Sequence, residues 1–403
     1  MIVLSGADVV LAGHIQSPGT LILDEDRIVE VLPGPRPASP GSTHIDLHGQ
    51  YIVPGFIDVH VHGLEGYDTL DDRGGVREMA LRLPRFGVTA FCPTSLACAP
   101  PVLAKFLEAV SELRLRSDHA AARVLPAHLE SNFINAEYRG AQPEHCLRRP
   151  PAAGLSGPVP NRPQTREDYA AEDLLAEIAR ASSSVGIVTL APELDDALPL
   201  IDRLVANGHR VSLGHSGATF EQGMAGIARG ARRATHLFNR MPAFAHRDPG
   251  LVGAVLASGD VVAELICDGY HVHPAVLRVA VAVKGPDRLM AISDATAGAG
   301  LPTGARATLG SQSITVRATA AFLDDGTLAG SVLTMDRAFG LLVGRVGLSL
   351  PDAATMCSTT PARELGLQDL GVIAPGAIAD LVVLDRHLTA VQTYVGGRLV
   401  YQR

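Results

Sequence analysis

Eight short apolar runs recur through the middle of the chain. They are "GFIDVHVH" (55–62), "GVTAFCPT" (87–94), "RVLPAHLE" (123–130), "VGIVTLAPE" (185–193), "HRVSLGHS" (209–216), "RRATHLFN" (232–239), "VAELICDG" (262–269) and "RLMAISDA" (288–295). Longer amphipathic stretches separate them, and "AEDLLAEIARASS" and "PLIDRLVANG" carry apolar residues at helical spacing. Near-continuous apolar strands alternating with helices indicate a parallel sheet covered on both faces. Eight such units predict an α/β chain closed into a TIM-like (β/α)8 barrel, here over residues 54–370.

The two ends read differently. "IVLSGADVVL", "GTLILDEDRIVEVL" and "HIDLHGQYIV" are short strands punctuated by Gly and Pro, and the tail "ADLVVLDRHLTAVQTYVGGRLVYQR" resembles them. Termini commonly lie close together. Residues 1–53 plus 371–403 are therefore expected to form a small β-sandwich.

Most of the eight runs end in a polar residue: His60 and His62, Thr94, Glu130, Glu193, His215, His236, Asp268 and Asp294. In a parallel barrel all C-terminal strand ends share one mouth, where barrel enzymes keep their active sites. His60 and His62 are two apart on a strand, so both imidazoles leave it on one side. Four histidines, a glutamate and an aspartate at the ends of five strands are hard to reconcile with core packing, because buried His, Glu and Asp need partners.

Imidazole and carboxylate donors suit Zn²⁺, or Fe²⁺ and other divalent ions. With no thiolate in the set, a site that keeps an open position for water fits better than a closed structural one. His60, His62, Glu130, His215, His236 and Asp294 exceed the donors that one catalytic ion takes. One or two metals per chain are expected, with Glu130 able to bridge two. A bound metal lowers the pKa of water toward about 7. Asp294 can then take a proton from the attacking water and deliver it to a leaving amine. The chemistry implied is metal-assisted hydrolysis of an amide or related C–N bond.

Composition excludes several classes. Over 403 residues the net charge is −8, with no basic stripe, so nucleic acid is not expected as a partner. No apolar run reaches 18 residues, Asp8 interrupts the apolar start, and no basic segment precedes it, so neither a membrane span nor a signal peptide is expected. The five cysteines are scattered and odd in number, without CxxC, which fits a reducing cytoplasm.

The motifs "PGFIDVHVHG", "HLESNFINAEYRGAQ", "SLGHSGAT", "ATHLFNRMPAFAHRDPGLVGA", "ICDGYHVHP", "ISDATAGAGLPTG" and "LAGSVLTMDRAF" occur in that order from residue 54 to 340. In this the chain resembles the amidohydrolase superfamily and, within it, the N-acetylglucosamine-6-phosphate deacetylase family. The resemblance implies a metal-dependent deacetylase acting on an N-acetyl amino sugar phosphate. It implies that Glu130, His215 and His236 hold the catalytic metal, and that His60 and His62 match a second-metal position filled in some members. Asp294 looks like the general base and acid, and His271 matches a substrate-binding histidine. Asn239 lies where the family binds the sugar phosphate. Arg247, in "HRDPG", matches an arginine that reaches the phosphate of the neighbouring subunit's substrate, which implies a homodimer.

Four positions depart from the family pattern. Ser131 and Asn132 stand where "HLEGPF" is usual. Gln142 replaces a histidine that binds the acetamido end, and Arg240 stands where a small residue is common. These loops are expected to touch the substrate. A different or unphosphorylated N-acyl amino sugar is therefore the alternative substrate, and a non-catalytic barrel the remaining alternative. Ring-opening relatives usually carry a metal-bridging lysine on a barrel strand, and the fourth run has none. His128, two residues before Glu130, is expected beside the metal ligands; Glu193 is expected to be structural or to support the ligands from behind, and His273 to be structural.

Overall fold

The computed structural model describes residues 1–37, 41–72, 74–116, 120–152 and 168–403. Its centre is the expected barrel. The strands are β1 (Phe56–Val61), β2 (Val88–Ser95), β3 (Ala127–Glu130), β4 (Val185–Leu190), β5 (Arg210–Leu213), β6 (Arg233–Ala234), β7 (Val262–Ile266) and β8 (Leu289–Ile292). Each pairs in parallel with the next, as in Leu129↔Val188 and Leu265↔Ala291. Closure runs through the residues just past β8: the Asp294 N–H donates to the His60 carbonyl at 2.9 Å, and Val61 bridges Ala295. β1, β2 and β4 are buried along their whole length, which is why they read as unbroken apolar runs. Pro126 separates β3 from the short strand Arg123–Val124, because proline offers no N–H to a ladder.

Helices cover the barrel with one face each. Ala171–Arg180 buries Ala171, Leu174, Leu175 and Ile178, and Ala197–Ala206 buries Ala197, Leu200, Ile201 and Leu204. Both follow i, i+3, i+4, i+7, the single stripe of an amphipathic helix. Each fully buried leucine or isoleucine side chain contributes roughly 1.5–3 kcal/mol. The helix Phe220–Ala228 starts at Thr219, whose hydroxyl accepts from the Gln222 N–H while Gln222 returns a bond to the Thr219 N–H. His273 has the structural part expected of it, since its Nδ1 caps the helix Pro274–Lys284 by accepting from the Ala275 N–H at 3.2 Å.

Both termini join one hydrogen-bonded sheet of eight strands, with Tyr51–Pro54 antiparallel to Leu381–Leu384 as the seam. Alternation gives this sheet two buried faces. Ile52, Leu381 and Val383 enter a small core with Leu4, Leu21 and Tyr394, whereas Val53, Val382 and Leu384 pack with the barrel.

A further element has no counterpart among the expectations. Residues 306–331 form a four-stranded antiparallel sheet around Leu309, Ile314, Val316 and Ala329. It returns to the barrel mouth where the Ser331 N–H donates to the Asp294 carbonyl at 2.8 Å.

Candidate metal centre

Three of the candidate donors share a local construction. His215, His236 and Asp294 each lie two residues past the end of β5, β6 and β8. Each has left-handed backbone, with φ of 48°, 30° and 48°. That conformation costs non-glycine residues on the order of 1–3 kcal/mol, and such strain gathers at functional sites. His60 and His62 come from the end of β1, and Glu130 is the last residue of β3.

These six side chains converge. Glu130 Oε1 lies 2.7 Å from His215 Nε2 and 2.9 Å from His236 Nε2. The two ring nitrogens are 3.0 Å apart. His60 Nε2 and His62 Nε2 form a second pair, 3.1 Å apart. Asp294 Oδ1 faces both, at 3.5 and 3.3 Å. Glu130 belongs to both sets, with His62 Nε2 3.5 Å from its Oε2.

Hydrogen bonds assign the tautomers. His215 Nδ1 can only donate to the Tyr138 carbonyl, 2.9 Å away, so its Nε2 presents a lone pair to the cluster. His60 Nδ1 donates to Glu264 Oε2 at 3.0 Å. Glu264 and Asp58 are site residues that the sequence reading missed. Glu264 is a lone acid inside the apolar run of β7; Asp58 sits in "FIDVHVH" and accepts from the Ser293 hydroxyl and N–H.

Charge also marks the cluster. Burial would raise Asp294, but His60 and His62 outweigh it and hold the carboxyl down at about 2. Burial likewise opposes ionisation of Glu130, yet His215, His236 and His60 hold it well below the usual range, and His128 and His60 lower Glu264. Burial works against a charged His60, but Asp294, Glu264 and Glu130 push it up to about 10. Asp58 is pushed up to about 6 by burial, against the hydrogen bonds from Ser293. Three buried, ionised carboxylates around converging imidazole nitrogens call for a cation. A divalent ion fits the chemistry of this donor set, imidazole nitrogens and carboxylate oxygens converging within 4.8 Å of one another with no thiolate among them.

A third group, His60 with His128 and Glu264, also converges but fits a metal poorly. His128 Nδ1 donates to the Val59 carbonyl at 3.0 Å and Nε2 meets Thr189 Oγ1 at 2.7 Å, so both nitrogens are engaged. Burial pulls His128 down to about 4. It braces the layer beneath the cluster.

A pocket opens above these donors, lined by His62, Glu130, His215, His236 and Asp294. Gln142, Asn239 and His271 line it as well. Gln142 is committed to the framework, its amide donating to Glu130 Oε2 while its oxygen accepts from the Ala97 N–H at 2.7 Å. His271 Nδ1 donates to Asp268 Oδ2 at 2.6 Å, and its Nε2 is buried without a partner among the described residues. Arg247 is exposed and does not line the pocket of its own chain.

Of the four departing positions, two turn away from the pocket. Ser131 Oγ donates to the Thr189 carbonyl at 2.5 Å, and Asn132 Nδ2 donates to the Cys98 and Cys146 carbonyls at 2.8 and 2.7 Å. This corrects the expectation that both touch the substrate: buried amides and hydroxyls must be satisfied, and the nearest acceptors are backbone. Arg240 does line the pocket. Glu193 accepts from Asn135, Ser216 and the Gly217 N–H, pinning the loop that carries His215.

The barrel and its donor cluster define a metal-dependent amidohydrolase, and the amidohydrolase family pattern matches residues 51–400. N-acetylglucosamine-6-phosphate deacetylase of Mus musculus is 38% identical over 404 residues, covering 98% of this chain and 91% of its own. The crystal structure of that enzyme from Thermotoga maritima has a TM-score of 0.83 at 31% identity, with both chains covered in full. A mutant Mycobacterium smegmatis enzyme, in complex with N-acetyl-D-glucosamine-6-phosphate, gives 0.86 at 30% identity and covers 100% of this chain and 99% of its own. The chain belongs to the amidohydrolase family and, within it, to the N-acetylglucosamine-6-phosphate deacetylases.

Proposed function

We propose that the protein hydrolyses the acetamide of N-acetylglucosamine 6-phosphate, giving acetate and glucosamine 6-phosphate. The observation that carries this reading is the convergence of His215, His236 and Glu130 beside Asp294 in one pocket, in a chain 38% identical to a named deacetylase. Glu130, His215 and His236 would hold the catalytic metal, with His60 and His62 holding a second; zinc suits the nitrogen and oxygen donors best. When bound, such an ion lowers the pKa of water toward about 7 and polarises a carbonyl oxygen.

The chain's own groups do the rest. Asp294 is ionised and so able to accept the proton of the attacking water. Water oxygen adds to the acetyl carbon, the C–N bond breaks, and the same proton passes from Asp294 to the departing amine nitrogen. His271 Nε2, its Nδ1 proton being held by Asp268, is left as a lone-pair acceptor that would take a hydrogen bond from a sugar hydroxyl. Asn239 is assigned to the phosphate end. Arg247, away from its own pocket, is assigned to the partner's substrate in a homodimer. The small terminal unit is taken as 1–53 plus 371–403 and the barrel unit as 54–370. Five free, buried cysteine thiols accord with a cytoplasmic setting, and no helix among the described residues is long and apolar enough to cross a membrane.

A second reading keeps the chemistry and changes the sugar. Gln142, one departure from the family pattern, lines the pocket beside Glu130, which favours a different or unphosphorylated N-acyl amino sugar. One experiment separates the two: acetate release from a panel of N-acetyl hexosamines with and without the 6-phosphate. Preference for N-acetylglucosamine 6-phosphate supports the first reading. Turnover confined to unphosphorylated sugars supports the second, and no acetate from any sugar sinks both.

A further inference from the structure

The pocket contains a guanidinium that forms no close ion pair among the described residues. Arg240 is half-buried and lines the same pocket as Glu130, His215, His236 and Asp294. A guanidinium carries five N–H donors. One of Arg240's, on Nη2, reaches the Leu328 carbonyl at 3.0 Å; among the described residues its others meet no protein acceptor, and the carboxylates of Asp294 and Glu130 act on it only from beyond 4 Å. The neighbouring Arg139 differs, being paired with Glu144 at 3.0 Å and bonded to the Ala136 carbonyl at 3.1 Å.

The local backbone is built to seat this side chain. Arg240 is left-handed, at φ 53°, an unfavourable state for a long side chain. Its carbonyl accepts from the Ser216 N–H at 3.2 Å, tying it to the loop that carries His215. The guanidinium lies over Gly140, where a Cβ would come within 2.5 Å of Arg240 Nε. Gly140 thus supplies the room, and Leu328, from the added four-stranded sheet, supplies the anchor. A solvated surface arginine needs neither.

We propose that Arg240 binds the phosphate of the substrate within its own chain, making it a specificity-determining residue. A planar fork of donors matches phosphate oxygens, and a partly desolvated guanidinium that feels Asp294 and Glu130 only from beyond ion-pair distance keeps its donors free for a dianion. This rests on the 6-phosphate reading of the function. Arg240 would act in addition to Arg247, from the same chain as the catalytic Asp294.

The test compares kcat/KM for N-acetylglucosamine 6-phosphate and for N-acetylglucosamine in wild type, Arg240→Ala and Arg240→Lys. The ratio of the two should fall about 10- to 100-fold in Arg240→Ala, mainly through KM of the phosphorylated sugar, with partial recovery in Arg240→Lys. An unchanged ratio overturns the assignment. Calorimetric binding of inorganic phosphate to metal-loaded wild type and Arg240→Ala keeps the test independent of turnover. If wild type releases acetate from neither sugar, the proposed function fails by itself, and the phosphate titration still decides Arg240. Binding weakened in the variant supports it; binding equal in both proteins, or absent from both, overturns it.

Discussion

His215 Nε2 and His236 Nε2 lie 3.0 Å apart, and both face Glu130 Oε1. His215 carries its proton on Nδ1, toward the Tyr138 carbonyl, so its lone pair points at the second imidazole. A divalent cation resolves that contact. We expect up to two divalent ions per chain by elemental analysis after saturation and desalting, and one in a His60→Ala/His62→Ala variant. A ceiling of one ion, the same in both proteins, would remove His60 and His62 from the site.

Asp294→Asn should leave substrate binding measurable while kcat falls by about 10²–10⁴-fold, the usual loss when a general acid–base is removed. Asparagine keeps the shape but cannot take the proton. Near-normal kcat in the metal-loaded variant would reassign the base. His128 is a poor substitute, because both of its nitrogens are already engaged.

Glu264 orients His60 from beneath through a 3.0 Å bond to Nδ1. Such supporting carboxylates typically control metal affinity by about 10- to 100-fold. Glu264→Gln should therefore weaken the ion held by His60 and His62, read by competition with a chelator. The ion at His215 and His236 should be retained. Equal loss from both sets would mean that Glu264 supports the barrel as a whole.

What was legible in the sequence follows from which signals are local. The eight strands could be read because strands buried on both faces must be apolar along their length, as β1 and β2 are. His215, His236 and Asp294 could be read because strand ends in one barrel share a mouth. Glu264 could not, because its meaning depends on His60, 204 residues away. The sheet at 306–331 escaped because its strands are four or five residues long and rich in Ala, Ser and Thr, although Gly310 and Gly326 mark two of its turns. Ser131 and Asn132 were placed at the substrate by their position in a motif, and burial turned them to backbone carbonyls instead.

Lys284 offers a pH test remote from the metal cluster. It is buried, donates to the Val255 and Ser258 carbonyls at 3.0 and 2.7 Å, and burial pulls it from 10.5 down to about 8. Between those values the unfolded chain holds a proton that the folded chain has lost, so stability rises as pH increases from about 8 to 10.5. After discounting for partial solvent screening, the gain is on the order of 1–2 kcal/mol. Denaturant midpoints measured across this range in wild type and Lys284→Met should diverge, with the smaller upward slope in the variant. Parallel slopes would show that Lys284 keeps its ordinary pKa in the fold.

Arg247 is exposed, outside the pocket of its own chain, yet a dianionic phosphate calls for a guanidinium fork. If it serves the partner's substrate, Arg247→Ala should raise KM for the phosphorylated sugar. Subunit mixing then separates trans from cis action. In a mixed dimer of Arg247→Ala with Asp294→Asn chains, one site combines Asp294 of the first chain with Arg247 of the second, so activity at low substrate should return. Arg240→Ala mixed with Asp294→Asn should regain nothing, because Arg240 and Asp294 belong to one chain and no mixed site holds both. Confirmed subunit exchange without recovery in the first mixture would place Arg247 outside the partner's site. Recovery in the second would mean that Arg240 also reaches across the dimer.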